Sequence, residues 1–85
     1  MKSFEYVITD PVGIHARPAG ELAKKAKEYT STITVHKGDK EAEMSRLMAM
    51  MSLGVKQGEE ITITVEGDDE EKAAAELQKY FTENL

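Results

Sequence analysis

Hydrophobic positions change their spacing several times along this chain, and each change marks an element. In Phe4-Glu5-Tyr6-Val7-Ile8-Thr9, the residues Phe4, Tyr6 and Ile8 recur at period two and share one face, which predicts a first strand. Asp10-Pro11-Val12-Gly13 then supplies turn chemistry. From Ala16 the period lengthens. Ala19, Leu22, Ala23 and Ala26 make an apolar stripe at helical spacing, Glu21, Lys24, Lys25 and Lys27 take the other side, and the helix is expected to end near Tyr29. Thr32-Ile33-Thr34-Val35-His36 is β-branched and alternating, and Gly38-Asp39 leads into Lys40-Glu41-Ala42-Glu43, which predicts a hairpin. Met44 to Leu53 is a helix-forming run of barely two turns that stops at Gly54, a residue suited to a left-handed cap. The alternation of Glu60-Ile61-Thr62-Ile63-Thr64-Val65-Glu66 predicts a strand with Ile61, Ile63 and Val65 inward. Asp68, three residues before Glu71, resembles a capping box, and Ala73, Ala74, Leu77, Tyr80 and Phe81 line the inner side of a third helix. The order β-α-β-β-α-β-α, with strands alternating between a dry and a wet face, predicts an α+β open-faced β-sandwich with helices on one side of an antiparallel or mixed sheet.

Length adds that residues 1–85 form a single domain, because single domains run from about 50 to 250 residues. Usage of 40% hydrophobic and 32% charged residues is that of an ordinary globular chain and argues against disorder. Eleven Lys+Arg against 16 Asp+Glu give a net charge of -5, which disfavours non-specific binding to nucleic acid. Cysteine is absent, so the chain has no disulfide, thiolate nucleophile or cysteine-based metal site. No apolar run approaches the ~18 residues of a membrane span, and the first residues lack a signal peptide's apolar segment, so the expected location is the cytoplasm, without membrane insertion.

Gly13-Ile14-His15-Ala16-Arg17-Pro18-Ala19 crosses from the first strand into the first helix. A helix start offers unbonded N–H groups and the positive end of the macrodipole, a ready anion site, with phosphate the obvious anion. Pro18 suits the first turn, where its missing donor costs nothing, although it biases Arg17 away from helical dihedrals and leaves open whether the helix begins at Ala16 or nearer Pro18. A histidine at that corner can take a phosphoryl group on a ring nitrogen, held by the backbone donors of Ala16 and Arg17 and by the Arg17 guanidinium. An exposed corner lets donor and acceptor proteins reach the same nitrogen in line. Gly13–Ala19 holds no Asp or Glu to partner a metal, so the expected chemistry is histidine-to-histidine transfer with no metal or cofactor. The plain alternative is that His15 is a cap or surface residue.

Leu47, Met48, Met50 and Met51 are core residues by default, yet four large apolar side chains in five positions cannot all face inward, so part of this helix is a candidate docking surface. His36 belongs to the polar side of its strand, Gly20 weakens the first helix by about 1 kcal/mol against alanine, and Asp68–Glu71 suits a helix start better than a calcium loop.

The Gly13–Ala19 segment, Leu47-Met48-Ala49-Met50-Met51-Ser52-Leu53-Gly54-Val55 and the Gly58-Glu59-Glu60-Ile61 strand start together resemble HPr, the histidine phosphocarriers of the bacterial phosphoenolpyruvate:sugar phosphotransferase system. The resemblance covers essentially the whole chain. It implies a four-stranded antiparallel sheet under three helices, phosphorylation of His15 on Nδ1 by enzyme I, transfer to IIA proteins, and no stand-alone catalysis. Arg17 would be the phosphate-neutralising arginine, and Leu47, Met48 and Met51, with Lys24 and Lys27 on the first helix, the docking patch. Relatives from low-GC Gram-positive bacteria carry a kinase-regulated serine where this chain has Arg46; Ser45 precedes it and is the remaining candidate for an HPr kinase, with transcriptional regulators as further partners. The working form is expected to be a monomer. Two other readings stay open: a paralogue that binds regulatory partners without carrying phosphate, against which the retained His15 and Arg17 speak, and a small nucleic-acid binder, against which the charge speaks. Arg17, Lys24, Lys27, Arg46 and Lys56 fall on segments expected around His15, while much of the acid lies in Glu59–Glu71 and the last helix, so the net charge hides a basic side.

Overall fold

A computed structural model describes all residues from Met1 to Leu85. The elements follow the expected order: β1 (Lys2–Val7), α1 (Ala16–Ala26), β2 (Thr32–Lys37), β3 (Lys40–Glu43), α2 (Leu47–Ser52), β4 (Glu60–Glu66) and α3 (Glu70–Asn84). The strands form one sheet in the order β1-β4-β2-β3, with every neighbouring pair antiparallel. Registers explain why one side is dry. Phe4 pairs with Ile63, Ile63 with Val35 and Val35 with Ala42, so an apolar row crosses all four strands. One residue along, Glu5, Thr62, His36 and Glu41 make the matching row on the opposite side, because successive side chains of a strand point to opposite faces. The helices bury Ala19, Leu22, Ala26, Met50, Ala73, Leu77 and Phe81 against Ile33, Val35, Ile61, Ile63 and Val65 in a continuous core. The fold is the expected four-stranded antiparallel sheet with three helices.

Element ends depart from the sequence expectation where distant partners intervene. The first helix stops at Ala26 and closes through a tight turn in which the Glu28 N–H donates to Lys25 O at 3.0 Å. The second helix begins only at Leu47, because the fully buried Met44 donates its N–H to Ile33 O at 2.9 Å and so stays with the sheet. Arg46 is the residue flanking α2, without a side-chain cap, so Ser45 does not cap the helix. At α3 the returning glutamate is Glu70, whose Oε1 accepts the Gly67 N–H at 3.2 Å, and not Glu71. Asp69 precedes the helix, and its carboxylate instead accepts the N–H groups of Thr30 (2.9 Å) and Ser31 (3.0 Å) and the Ser31 hydroxyl. The α3 start thereby holds the turn between α1 and β2.

Candidate functional site at the start of the first helix

The Gly13–Pro18 corner is fixed from below. Asp10 closes a turn by accepting the Val12 N–H on Oδ1 at 2.8 Å and the Gly13 N–H on its carbonyl at 3.0 Å. Gly13 has φ +77°, and a Cβ there would lie 2.3 Å from Val55 O and 2.8 Å from Lys56 Cα. Only glycine satisfies both the backbone angle and the close approach. The Ile14 N–H then donates to the same Val55 carbonyl at 3.1 Å, and the Ile14 side chain is buried. From the other side the Leu85 carbonyl accepts the N–H groups of Thr9 and Asp10 and the Thr9 hydroxyl, which ties the end of α3 to the loop.

His15 is the N-cap of α1, with extended backbone and a half-buried side chain that makes no capping hydrogen bond. The helix starts at Ala16, which settles the position that Pro18 leaves open. Ala16 and Arg17 are exposed, and their N–H groups have no acceptor in the chain. Pro18 has no N–H and is buried; the first donor engaged is that of Ala19, bonded to His15 O at 3.0 Å. Two free amides and a positive helix end therefore follow directly on His15, with no acidic residue in the first turn. His15 and Arg17 share a cleft of about 270 Å³ with Asp10, Pro18, Glu21, Tyr80 and Asn84. The Arg17 Nε lies 3.9 Å from Glu21 Oε2, and the Tyr80 hydroxyl donates to Glu21 Oε1 at 2.5 Å. The sequence pattern puts Glu21 on the polar side of the first helix and Tyr80 on the inner side of the third, and does not by itself bring either to this cleft. The spacing of four from Arg17 to Glu21 is a readable signal of a helical ion pair, whereas Tyr80 arrives from another helix.

α2 divides its apolar residues as the crowding of four in five positions predicts. Met50 is 1% exposed, while Leu47 and Met51 are each 38% and Met48 76% exposed. α2 packs beside α1 and is held at its end by Lys37, whose Nζ donates to Leu53 O at 3.2 Å and Gly54 O at 3.0 Å, with Gly54 at φ +63°. Lys37 also pairs with Glu59 at 3.1 Å, and Glu59 accepts the Lys56 N–H at 2.7 Å. That amide and then Lys37 hold the Glu59 carboxyl below the usual range. The network braces residues 54–59, the segment on which Gly13 rests.

Among the basic candidates, Lys24, Lys27 and Lys56 are exposed without a carboxylate partner, while Arg46 pairs with Glu43 at 3.8 Å. Ser45 is half-buried and lines a separate cleft with Lys27, Tyr29 and Glu43. His36 bonds Thr64 Oγ1 through Nε2 at 3.1 Å on the polar side of the sheet. Gly20 has open space beside it and serves no close approach within the chain.

An antiparallel sheet under three helices, with a histidine set at an unbonded helix start, places this chain among small open-faced β-sandwich proteins. It belongs to the HPr family, the phosphocarriers of the phosphotransferase system: a family model described as the PTS HPr component phosphorylation site matches residues 2–83. The phosphocarrier protein HPr of Lysinibacillus sphaericus is 41% identical over 83 residues, spanning 98% of this chain and 94% of that protein. HPr-C-His from Thermoanaerobacter tengcongensis superposes with a TM-score of 0.91 at 38% identity, over 96% of this chain and 92% of that one. Crh, a catabolite repression protein of Bacillus subtilis whose structure is a domain-swapped dimer, superposes with a TM-score of 0.78 at 33% identity, over 88% and 86%.

Proposed function

We propose that this domain carries a phosphoryl group on His15, taking it from phospho-enzyme I and passing it to IIA proteins. The observation that supports this most directly is the pair of free amides at Ala16 and Arg17 next to a histidine without a capping bond. The lone pair of His15 Nδ1 attacks phosphorus in line while the P–N bond to the donor imidazole breaks, and that electron pair returns to the donor nitrogen. With one proton on His15 Nε2 and one on the second nitrogen of the donor ring throughout, both free rings are neutral imidazoles and no net proton moves. The three phosphoryl oxygens then face the Ala16 and Arg17 amides and the guanidinium, which stabilise negative charge without a metal or cofactor. Transfer onward is the same step reversed, so the domain is a stoichiometric carrier and not a stand-alone enzyme.

Leu47, Met48 and Met51 form the contact patch for both partners, and the unpaired Lys24 and Lys27 favour acidic ones. Ser45 is the candidate for regulation by an HPr kinase. The domain works in the cytoplasm as a monomer, unlike the dimeric Crh; no helix is long and apolar enough to cross a membrane. Incubation with enzyme I and phosphoenolpyruvate is expected to add one acid-labile phosphoryl group, and His15→Ala to add none. Unchanged labelling of His15→Ala overturns the assignment.

A further inference from the structure

We propose that Glu21, anchored by Tyr80, is a positioning residue that competes with the phosphoryl group for Arg17 and so limits how tightly the carrier holds its cargo. The inference rests on the phosphocarrier reading of His15. Arg17 is the only cation lining the cleft, and its guanidinium is already engaged one helical turn down by Glu21 Oε2 at 3.9 Å. An exposed glutamate on a helix would sample many rotamers. This one is fixed through its second oxygen by the Tyr80 hydroxyl, and the Tyr80 ring packs edge-on against the buried Phe81, with centroids 6.3 Å apart and planes at 88°. Burial, and then the bond to Glu21, push the Tyr80 phenol well above its usual range, so it remains a donor at any working pH. α3 thus supplies the support that holds a carboxylate beside the working cation of α1.

Two anions then share one guanidinium. When His15 is phosphorylated, Arg17 must leave Glu21 to reach the phosphoryl oxygens, and the abandoned carboxylate adds repulsion toward a group of about two negative charges. Both effects weaken retention. The Arg17 side chain is 85% exposed and Glu21 51%, so the pair is a surface pair and tunes the equilibrium without blocking it. A carrier benefits from such a competitor, because a phosphoryl group held too firmly is not passed on.

Three variants test this in the full chain. Glu21→Gln keeps an oxygen for the Tyr80 hydroxyl and removes the charge; at equilibrium with enzyme I, phosphoenolpyruvate and pyruvate it is expected to raise the phosphorylated-to-free ratio about 2- to 5-fold. Tyr80→Phe frees the carboxylate and is expected to raise the ratio less. In an Arg17→Ala background the Glu21→Gln effect is expected to shrink. The Arg17 Nε–Hε resonance of the unphosphorylated protein is expected to shift in both single variants, a change that general loosening of α3 does not predict for Glu21→Gln. Equal ratios in wild type and Glu21→Gln, or an undiminished effect without Arg17, overturn the competition while leaving the carrier function intact. A wild-type chain that takes no phosphoryl group overturns the carrier reading and this inference together.

Discussion

α1 and α3 both begin with backbone donors that the helix itself cannot bond, and the chain treats the two ends differently. At α3 the first turn holds Glu70 and Glu71, Glu70 reaches back to the Gly67 N–H, and Asp69 turns outward to hold Thr30 and Ser31. The positive end of that dipole is already answered by the protein's own carboxylates. At α1 the first turn has no acid, His15 caps nothing, and Ala16 and Arg17 keep free N–H groups. The same helical geometry makes a structural joint in one place and leaves unanswered donors in the other, and the choice is made by two or three side chains.

Breaking the support of the open end is expected to have the largest effect. Gly13→Ala forces a Cβ to 2.3 Å from Val55 O at a positive φ, and is expected to destabilise the fold by about 2–4 kcal/mol, read as a fall in the urea midpoint, with slower labelling of His15. Closing the open end in the manner of α3 is the sharper test. Ala16→Asp places a carboxylate among the free amides; labelling by phospho-enzyme I is expected to slow about tenfold, because a charge of the same sign costs roughly 1 kcal/mol or more at contact distance near a surface. The stability of Ala16→Asp, read from its urea midpoint, is expected to hold or rise by a few tenths of a kcal/mol.

The closed end has its own signature in acid. The Ser31 hydroxyl and then the Thr30 N–H hold the Asp69 carboxyl below its ordinary range, as the Lys56 amide and Lys37 do for Glu59. A carboxyl depressed in the fold binds fewer protons there than in the unfolded chain, so its contribution is full above the ordinary carboxylate pKa of about 4 and is lost as pH falls toward the folded value. Urea midpoints measured from pH 7 to pH 2.5 are expected to fall below about pH 4, and Asp69→Asn is expected to flatten that fall without changing His15 labelling. The stability effect of Met48→Ala is small as well: 76% exposed, it is expected to shift stability by less than about 0.5 kcal/mol while weakening binding to enzyme I about five- to tenfold, measurable by calorimetry.

The two ends were not equally legible in the sequence. Alternation in Glu60–Glu66 predicts β4 to the residue, because only one face of that strand is covered and Thr62 and Thr64 mark the other. The Gly13–Ala19 segment reads as an anion site because its chemistry is local to a few consecutive residues. What escaped depends on partners far along the chain. The Val55 carbonyl under Gly13, the Ile33 carbonyl that ties Met44 to the sheet, and Tyr80 behind Glu21 are set by the order β1-β4-β2-β3 and by how α3 crosses it. The capping glutamate of α3 is displaced by one residue for the same reason, since Asp69 is drawn to Ser31 on a different loop.

Lys37 bears on a different property of the molecule, its local opening. A helix of six residues cannot persist by itself, and the two carbonyls that follow α2, of Leu53 and Gly54, are tied to β2 by that one ammonium group. Opening of the β2–β3 hairpin and fraying of α2 should therefore be a single event in native-state hydrogen exchange. Amides of Met50 and Leu53 would exchange with those of the hairpin and not with the core of β4, and Lys37→Met would uncouple the two sets. The exposed methionines of α2 would then owe their order to a side chain on the sheet.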